Sequence, residues 1–168
     1  KMSFRVGIGF DIHRLEKGNS LILGGVEINH HKGTVAHSDG DVIIHSVCDA
    51  LLGALSLGDI GLLFPDSDED FKGIDSKLLF IEVLNKVYNK GFKVVNIDIS
   101  LVLEKPKIQP FILKMRKELS NYSDDIISGF SKINFEDISI KATTNEKLGF
   151  IGSEEGVACH SVVLLQKV

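Results

Sequence analysis

Residues 36–61 read AHSDGDVIIHSVCDALLGALSLGDIG, and the centre of this stretch is a helix that is apolar nearly all round. Val42, Ile43, Ile44, Val47, Ala50, Leu51 and Leu52 leave it no broad polar side, which marks a helix buried in a core. Ser38 with Asp41 three residues later resembles a capping box. The helix should therefore run from there to about Leu57, where the GDIG of residues 58–61 stops it. One polar stripe crosses this apolar surface: Asp41, His45 and Asp49, each four residues from the next.

Outward from this helix the pattern alternates strands and helices. Upstream, residues 4–10 read as a strand ending in Asp11-Ile12-His13. Residues 21–23 and 26–28 flank Gly24-Gly25, a two-residue hairpin signal. Downstream, residues 62–73 contain Pro65 and several acids and read as a loop. A second helix is expected from about Asp75 or Ser76 to Lys90, with Gly91 as its stop. Residues 94–103 alternate as a long strand, and a third helix follows over 109–119. Residues 120–136 show no strong period and read as an extended loop. A short strand over 138–142, a helical turn over 143–148 and a last strand over 156–166 complete the chain. The expectation is one domain over residues 1–168. Its class is α+β, an α/β sandwich: a mixed four-stranded main sheet, helices packed on one face, and a small N-terminal hairpin.

Composition narrows the function classes. The chain has 168 residues, 43% hydrophobic and 25% charged, which is globular composition. A net charge of −4 argues against bulk nucleic-acid binding, which needs a basic excess. No apolar run approaches the roughly 18 residues of a membrane-spanning helix. The two cysteines, Cys48 and Cys159, lie in apolar runs and read as buried, reduced thiols. The opening Lys1-Met2 suggests a trimmed start, from which an upstream targeting segment has been removed.

The chemistry-bearing residues cluster in a few places. Asp11 and His13 are two apart at a strand end, so their side chains share a face. Burying the Asp41, His45, Asp49 stripe would cost several kcal/mol unless each group is paired or ligates a metal. The alternative is a solvent-facing polar stripe. Asp11, His13 and His45 together make a three-ligand zinc set with one tetrahedral position left open. Gly7-x-Gly9 lacks the third glycine and the following helix of a dinucleotide fold. These glycines would let the strand bend or another chain approach. His37-Ser38 precedes the first helix, where an anion is favoured, though an ordinary serine cap beside a surface histidine reads as well. In residues 141–147, KATTNEK, hydroxyls, amides and two lysines could hold phosphate, with Glu146 free for Mg²⁺ or Mn²⁺. A capping box at Thr143 or Thr144 is the competing reading. His30-His31 reads as a solvated turn, His160 as a surface or satisfied histidine, and Asp66 in the acidic loop as a ligand contact.

Taken together, GFDIHRL (9–15), AHSDGDVIIH (36–45), DALLGALSLGDIGLLFPDSD (49–68), FKGIDS (71–76) and KATTNEKLGF (141–150) resemble the 2-C-methyl-D-erythritol 2,4-cyclodiphosphate synthase family. The likeness runs the length of the domain. It implies a phosphorus–oxygen lyase that closes 4-diphosphocytidyl-2-C-methyl-D-erythritol 2-phosphate into the 2,4-cyclodiphosphate with release of CMP, in non-mevalonate isoprenoid (terpenoid precursor) biosynthesis. It implies zinc on Asp11, His13 and His45, and magnesium or manganese on Glu146. His37 and Ser38 fall where the family contacts phosphate, and His37 and Thr144 where it stabilises the transition state. Asp49 matches an acidic site residue that would orient a ligating histidine. Asp59, Gly61, Phe64 and Asp66 match positions holding the methylerythritol phosphate part. The segment 103–109, including Pro106 and Lys107, matches the cytidine pocket, Ala142 and Thr143 the diphosphate, and Phe150 stands with the substrate-contacting residues. A homotrimer with sites between subunits is implied, without nucleic-acid or membrane partners.

Two features depart from the bacterial pattern. Ser153 stands where bacterial members commonly carry an arginine that lines the trimer's central channel, which removes a bidentate phosphate grip there. Residues 120–136 are also longer than the compact bacterial loop. With the trimmed start, this points to a plastid-type organelle (apicoplast or chloroplast) in a eukaryote, and otherwise to a bacterial cytoplasm. Two rival functions fit the same ligands. One is a zinc-dependent phosphohydrolase with Asp49 as general base. The other is a non-enzymatic module in which Cys48 completes a structural zinc site.

Overall fold

The computed structural model describes residues 3–65, 73–125 and 132–168. Strand β1 (Phe4–Lys17) is longer than the sequence pattern suggested and alternates from Gly7 to Leu15. Gly7, Gly9, Asp11, His13 and Leu15 turn inward, while Phe4, Val6, Ile8, Phe10 and Ile12 turn outward and are exposed. The hairpin forms as expected from β2 (Leu21–Leu23) and β3 (Val26–Ile28), with positive φ at Gly24 and Gly25. A short strand β4 (Lys32–Val35) then pairs antiparallel with Arg14–Lys17 at the end of β1.

Helix α1 (Val42–Ala54) follows, then α2 (Ile60–Leu63), α3 (Ser76–Asn89) and strand β5 (Phe92–Val102). Beyond a 3-10 turn at Gln109–Phe111 come α4 (Ile112–Tyr122), β6 (Ile138–Thr143), α5 (Gly149–Gly152) and β7 (Gly156–Lys167). The main sheet runs in the order β4-β1-β7-β5-β6, with β5 and β6 parallel and the remaining pairs antiparallel. It is therefore mixed, as expected, but has five strands rather than four. The fifth strand is KGTV, too short and too irregular to carry a period of two. It forms because β1 continues through Lys17 and offers it an edge.

Other boundaries moved for local reasons. The N-cap of α1 is Asp41 itself, whose carboxylate accepts from Ile43 and Ile44, so the Ser38–Asp41 capping box does not form. In the segment expected as a loop over 120–136, α4 runs to Tyr122 and 3-10 turns occupy Ser123–Asp125 and Phe135–Asp137, while residues 126–131 lie outside the described residues. The turn over 143–148 is not helical. Helical geometry begins at Gly149, and Leu148 rather than a threonine precedes it.

The core lies between α1, α3 and the inner sheet face. Ile43, Val47, Leu51 and Leu52 of α1 meet Phe80, Val83 and Leu84 of α3 and Ile97, Ile99, Leu101 and Val163 of the sheet. Cys48 and Cys159 are buried free thiols, and burial drives both pKa values up, that of Cys159 to about 12. The outer face of β1 has no such cover. Val6, Ile8 and Val162 remain exposed there, and Phe10 leans on the exposed His160 ring at 4.8 Å.

Candidate metal centre and phosphate site

Two glycines on the inner face of β1 decide where α1 sits. A Cβ on Gly7 would lie 1.9 Å from the Ala50 carbonyl oxygen, and one on Gly9 would lie 1.8 Å from that of Ser46. The helix backbone thus rests directly on the strand. The close approach anticipated at these glycines exists, but the approaching segment is the chain's own helix. Asp11 and His13 continue the same face beyond Gly9, so His45, next to Ser46, is carried onto them.

Three atoms with lone pairs meet there. His13 Nε2 lies 2.9 Å from Asp11 Oδ2, His45 Nδ1 lies 3.1 Å from the same oxygen, and the two nitrogens are 3.1 Å apart. Such atoms repel one another unless a proton or a metal ion sits among them. Burial alone would raise the Asp11 carboxyl, but hydrogen bonds from His13 and His45 outweigh it and hold the pKa at about 2. Burial likewise opposes charge on His45, yet Asp11 lifts its pKa above the usual value.

The far side of His45 is equally constrained. Its Nε2 lies 2.9 Å from Ser76 Oγ and 3.2 Å from Ser38 Oγ. Ser76 donates its own hydroxyl proton to Asp39, whose other oxygen accepts from the Ser76 backbone N–H. Ser76 Oγ is thereby left to accept from His45 Nε2–H, and Nδ1 faces Asp11 and His13, where it donates to Asp11 when protonated and offers its lone pair to a metal when that proton is displaced. Fixing a ligand's tautomer through its outer nitrogen is what a metal-binding histidine requires. The donor set, two imidazoles and a carboxylate with a position to spare, fits zinc.

The polar stripe on α1 separates into three different tasks. Asp41 is fully buried and accepts from four backbone N–H groups, those of Gly24, Gly25, Ile43 and Ile44. It ties the hairpin turn to the helix start. Burial pushes its pKa up to about 6 against the pull of those donors. His45 faces the donor cluster. Asp49 does not orient a histidine as expected: its Oδ1 accepts from Ile60 N–H at 2.8 Å and anchors the start of α2. Cys48 lies in the core and takes no part in the cluster of Asp11, His13 and His45.

The second half of the expected site lies elsewhere on the sheet. Asp11 pairs with Cys159, Cys159 with Leu101 and Leu101 with Ala142, so Asp11 and Ala142 share one row. Three strand spacings separate them, roughly 14 Å. Thr143, Thr144 and Glu146 continue from that strand end and are exposed. Glu146 Oε1 lies 3.5 Å from Thr144 Oγ1, and Glu146 and Lys147 both have positive φ. Glu104, which the sequence reading placed in the 103–109 segment without a role of its own, accepts from the backbone of Asn145 and Lys147 and holds this turn in shape. The bond from Leu103 N to Thr143 O brings the segment carrying Pro106 and Lys107 beside it.

Of the remaining expected residues, Ser38 joins the metal-site half through His45, and His37 is exposed beside it. Asp59 caps α2 through Leu62 N–H, placing Gly61 and Phe64 on the same short element, and Phe150 is exposed on α5. Asp66 lies outside the described residues. Ser76 and Asp39 were also missed. Nothing local signals them, because Ser76 reads as the ordinary first residue of a helix capped by Asp75.

Comparison with known proteins places these features in a lineage. The family model described as the YgbB family matches residues 4–166. A 2-C-methyl-D-erythritol 2,4-cyclodiphosphate synthase of Idiomarina loihiensis is 50% identical over 165 residues, covering 98% of this chain and 99% of its own length. One from Prochlorococcus marinus is 54% identical over 166 residues, covering 98% and 95%. Among solved structures, the bifunctional IspDF of Campylobacter jejuni superposes with a TM-score of 0.91 at 41% identity. It covers all of this chain, which spans only 43% of that longer one. The CDP complex of Plasmodium falciparum IspF gives 0.83 at 34% identity, covering 98% and 97%.

Proposed function

The chain belongs to the YgbB family, and from that premise we infer that it closes 4-diphosphocytidyl-2-C-methyl-D-erythritol 2-phosphate into 2-C-methyl-D-erythritol 2,4-cyclodiphosphate, releasing CMP, in isoprenoid biosynthesis. The observation that carries the reading is the convergence of Asp11, His13 and His45, with the outer nitrogen of His45 pinned by Ser76. The reaction needs no protein nucleophile. An oxygen of the substrate's 2-phosphate bonds to the β-phosphorus, and the bond from that phosphorus to the bridging oxygen breaks, so that CMP departs with the oxygen. Such in-line transfer depends on positioning and charge neutralisation.

Asp11, His13 and His45 would hold zinc, and Glu146, a single carboxylate that leaves room for retained waters, would hold magnesium or manganese. Bound there, these cations supply positive charge to the phosphate oxygens. The chain's own residues do the rest. Ser38 and His37 hold phosphate beside the first centre. Asp59, Gly61, Phe64 and Asp66 receive the methylerythritol part, with Phe150 beside the substrate. Ala142, Thr143 and Thr144 line the diphosphate, and Pro106 and Lys107 the cytidine. Asp49 serves by anchoring α2 under this surface.

The roughly 14 Å between the two halves exceeds what one reacting phosphorus can bridge. A complete site therefore takes one half from each of two subunits. The exposed apolar face of Val6, Ile8, Phe10 and Ile12 supports the same reading, since it gives a homotrimer something to bury. The protein acts as a single domain, in a plastid-type organelle if its source is eukaryotic and otherwise in a bacterial cytoplasm.

The test is a product assay with this substrate and Mg²⁺, before and after zinc stripping. CMP and the cyclic diphosphate in equal amounts, lost with zinc and restored by it, are expected. CMP with an open-chain product would make water the nucleophile and the enzyme a phosphohydrolase. No turnover from a folded, zinc-loaded assembly would overturn the enzymatic reading.

A further inference from the structure

Away from the Asp11 centre, a second group of metal-capable donors converges: His30, His31 and Glu154. The two histidines are adjacent in sequence, and adjacent side chains of an extended strand point to opposite faces. A bend at His31, between β3 and β4, turns both rings to the same side, their centroids 4.3 Å apart and their planes inclined at 59°. Glu154 reaches them from the tight turn between α5 and β7, where its own φ is 58°. One nitrogen from each ring and one carboxylate oxygen all lie within 4.8 Å of one another.

We propose that His30, His31 and Glu154 form a second divalent transition-metal site, taking zinc or an ion of similar preference such as nickel or copper. Two imidazoles and one carboxylate form a borderline donor set that suits these ions far better than magnesium or calcium. A tetrahedral ion about 2.1 Å from each ligand spaces them about 3.4 Å apart. Donors now up to 4.8 Å apart need close by only about 1.4 Å, within reach of side-chain rotation at the surface. The fourth position stays open to water or to an external ligand. Partial burial and the neighbouring His31 both lower the His30 pKa, which favours the neutral imidazole that a metal needs.

Two lysines oppose the ion and set its affinity. Lys105 Nζ lies 3.2 Å from Glu154 Oε1, and Lys32 Nζ donates to the Glu154 carbonyl oxygen at 2.6 Å. Binding therefore displaces Lys105 from the carboxylate. Removing that competitor with Lys105→Ala should tighten the site by up to about fivefold, the value of one exposed ion pair.

The experiment is calorimetric titration of the assembled protein with ZnCl₂, with the bound metal counted independently by elemental analysis. Wild type should bind one zinc per chain more than the His30→Ala/His31→Ala double variant, and Glu154→Gln should weaken that same ion alone. Equal zinc counts in wild type and double variant would overturn the proposal, whatever the Asp11 centre binds. The three side chains are at the surface, so unchanged thermal unfolding of the variants separates lost ligands from lost fold. Copper titration gives a second readout: wild type should show a second two-imidazole copper signal beyond that of His13 and His45, and an undiminished second signal in the double variant would also overturn the site.

Discussion

Gly9→Ala is a single methyl group placed where the helix backbone already lies. The added Cβ would stand 1.8 Å from the Ser46 carbonyl oxygen, whereas real Cβ atoms essentially never approach within 3.0 Å. Strand and helix must part by at least the difference, 1.2 Å, and neither contacting atom is a side chain that could rotate away. Overpacking of this kind costs about 1–3 kcal/mol, or about 2–12 °C in melting temperature for a chain of this size. The helix that moves carries His45, now 3.1 Å from Asp11, and displacing a reacting group by about 1 Å costs on the order of 100-fold in rate. Zinc affinity by chelator competition, CMP release and thermal unfolding should therefore all fall together. Gly53→Ala is the matched control in the same helix. Its Cβ would meet only the Ile8 carbonyl oxygen at an ordinary 3.8 Å, so it should stabilise by about 0.4–1 kcal/mol and leave zinc affinity unchanged. Gly9→Ala with wild-type melting and wild-type zinc affinity would refute the argument that backbone contact at Gly9 sets the metal site.

Ser76→Ala removes the acceptor of His45 Nε2–H and should weaken zinc binding about 10–100-fold with circular dichroism unchanged; a shift under twofold would mean that Ser76 does not orient the ligand. Asp41→Ala strips four backbone donors, three of them buried, of their acceptor and should cost about 2–5 kcal/mol in urea unfolding, mostly by freeing the hairpin from the helix. Glu104→Ala should lower turnover while sparing zinc content, because the turn it holds lies three strands from the Asp11 centre; loss of zinc would contradict that separation. Cys48 and Cys159, buried with raised pKa values, should resist a thiol reagent at pH 8 in the native protein, and both should react once it is unfolded in denaturant.

Whatever depended on short-range order was legible in the sequence. The all-round apolar α1, the Gly24-Gly25 hairpin, the α3 stop at Gly91 and the alternation of β5 follow from periodicity and from turn residues acting within a few positions. The trio Asp11, His13 and His45 was also found, because ligand chemistry restricts which residue types can serve and the chain has few candidates. Tertiary structure decided what those residues lean on. That Gly7 and Gly9 seat a helix rather than bend a strand depends on a partner some 40 positions away. Partners beyond the reach of local pattern, at separations from 11 to nearly 40 positions, also hid Ser76 and Asp39 behind His45, gave Asp49 the Ile60 amide to hold, and let β4 form at an edge its own four residues do not announce. Local sequence constrains backbone torsions and faces. The atom at the far end of a hydrogen bond is selected only when the whole chain has packed.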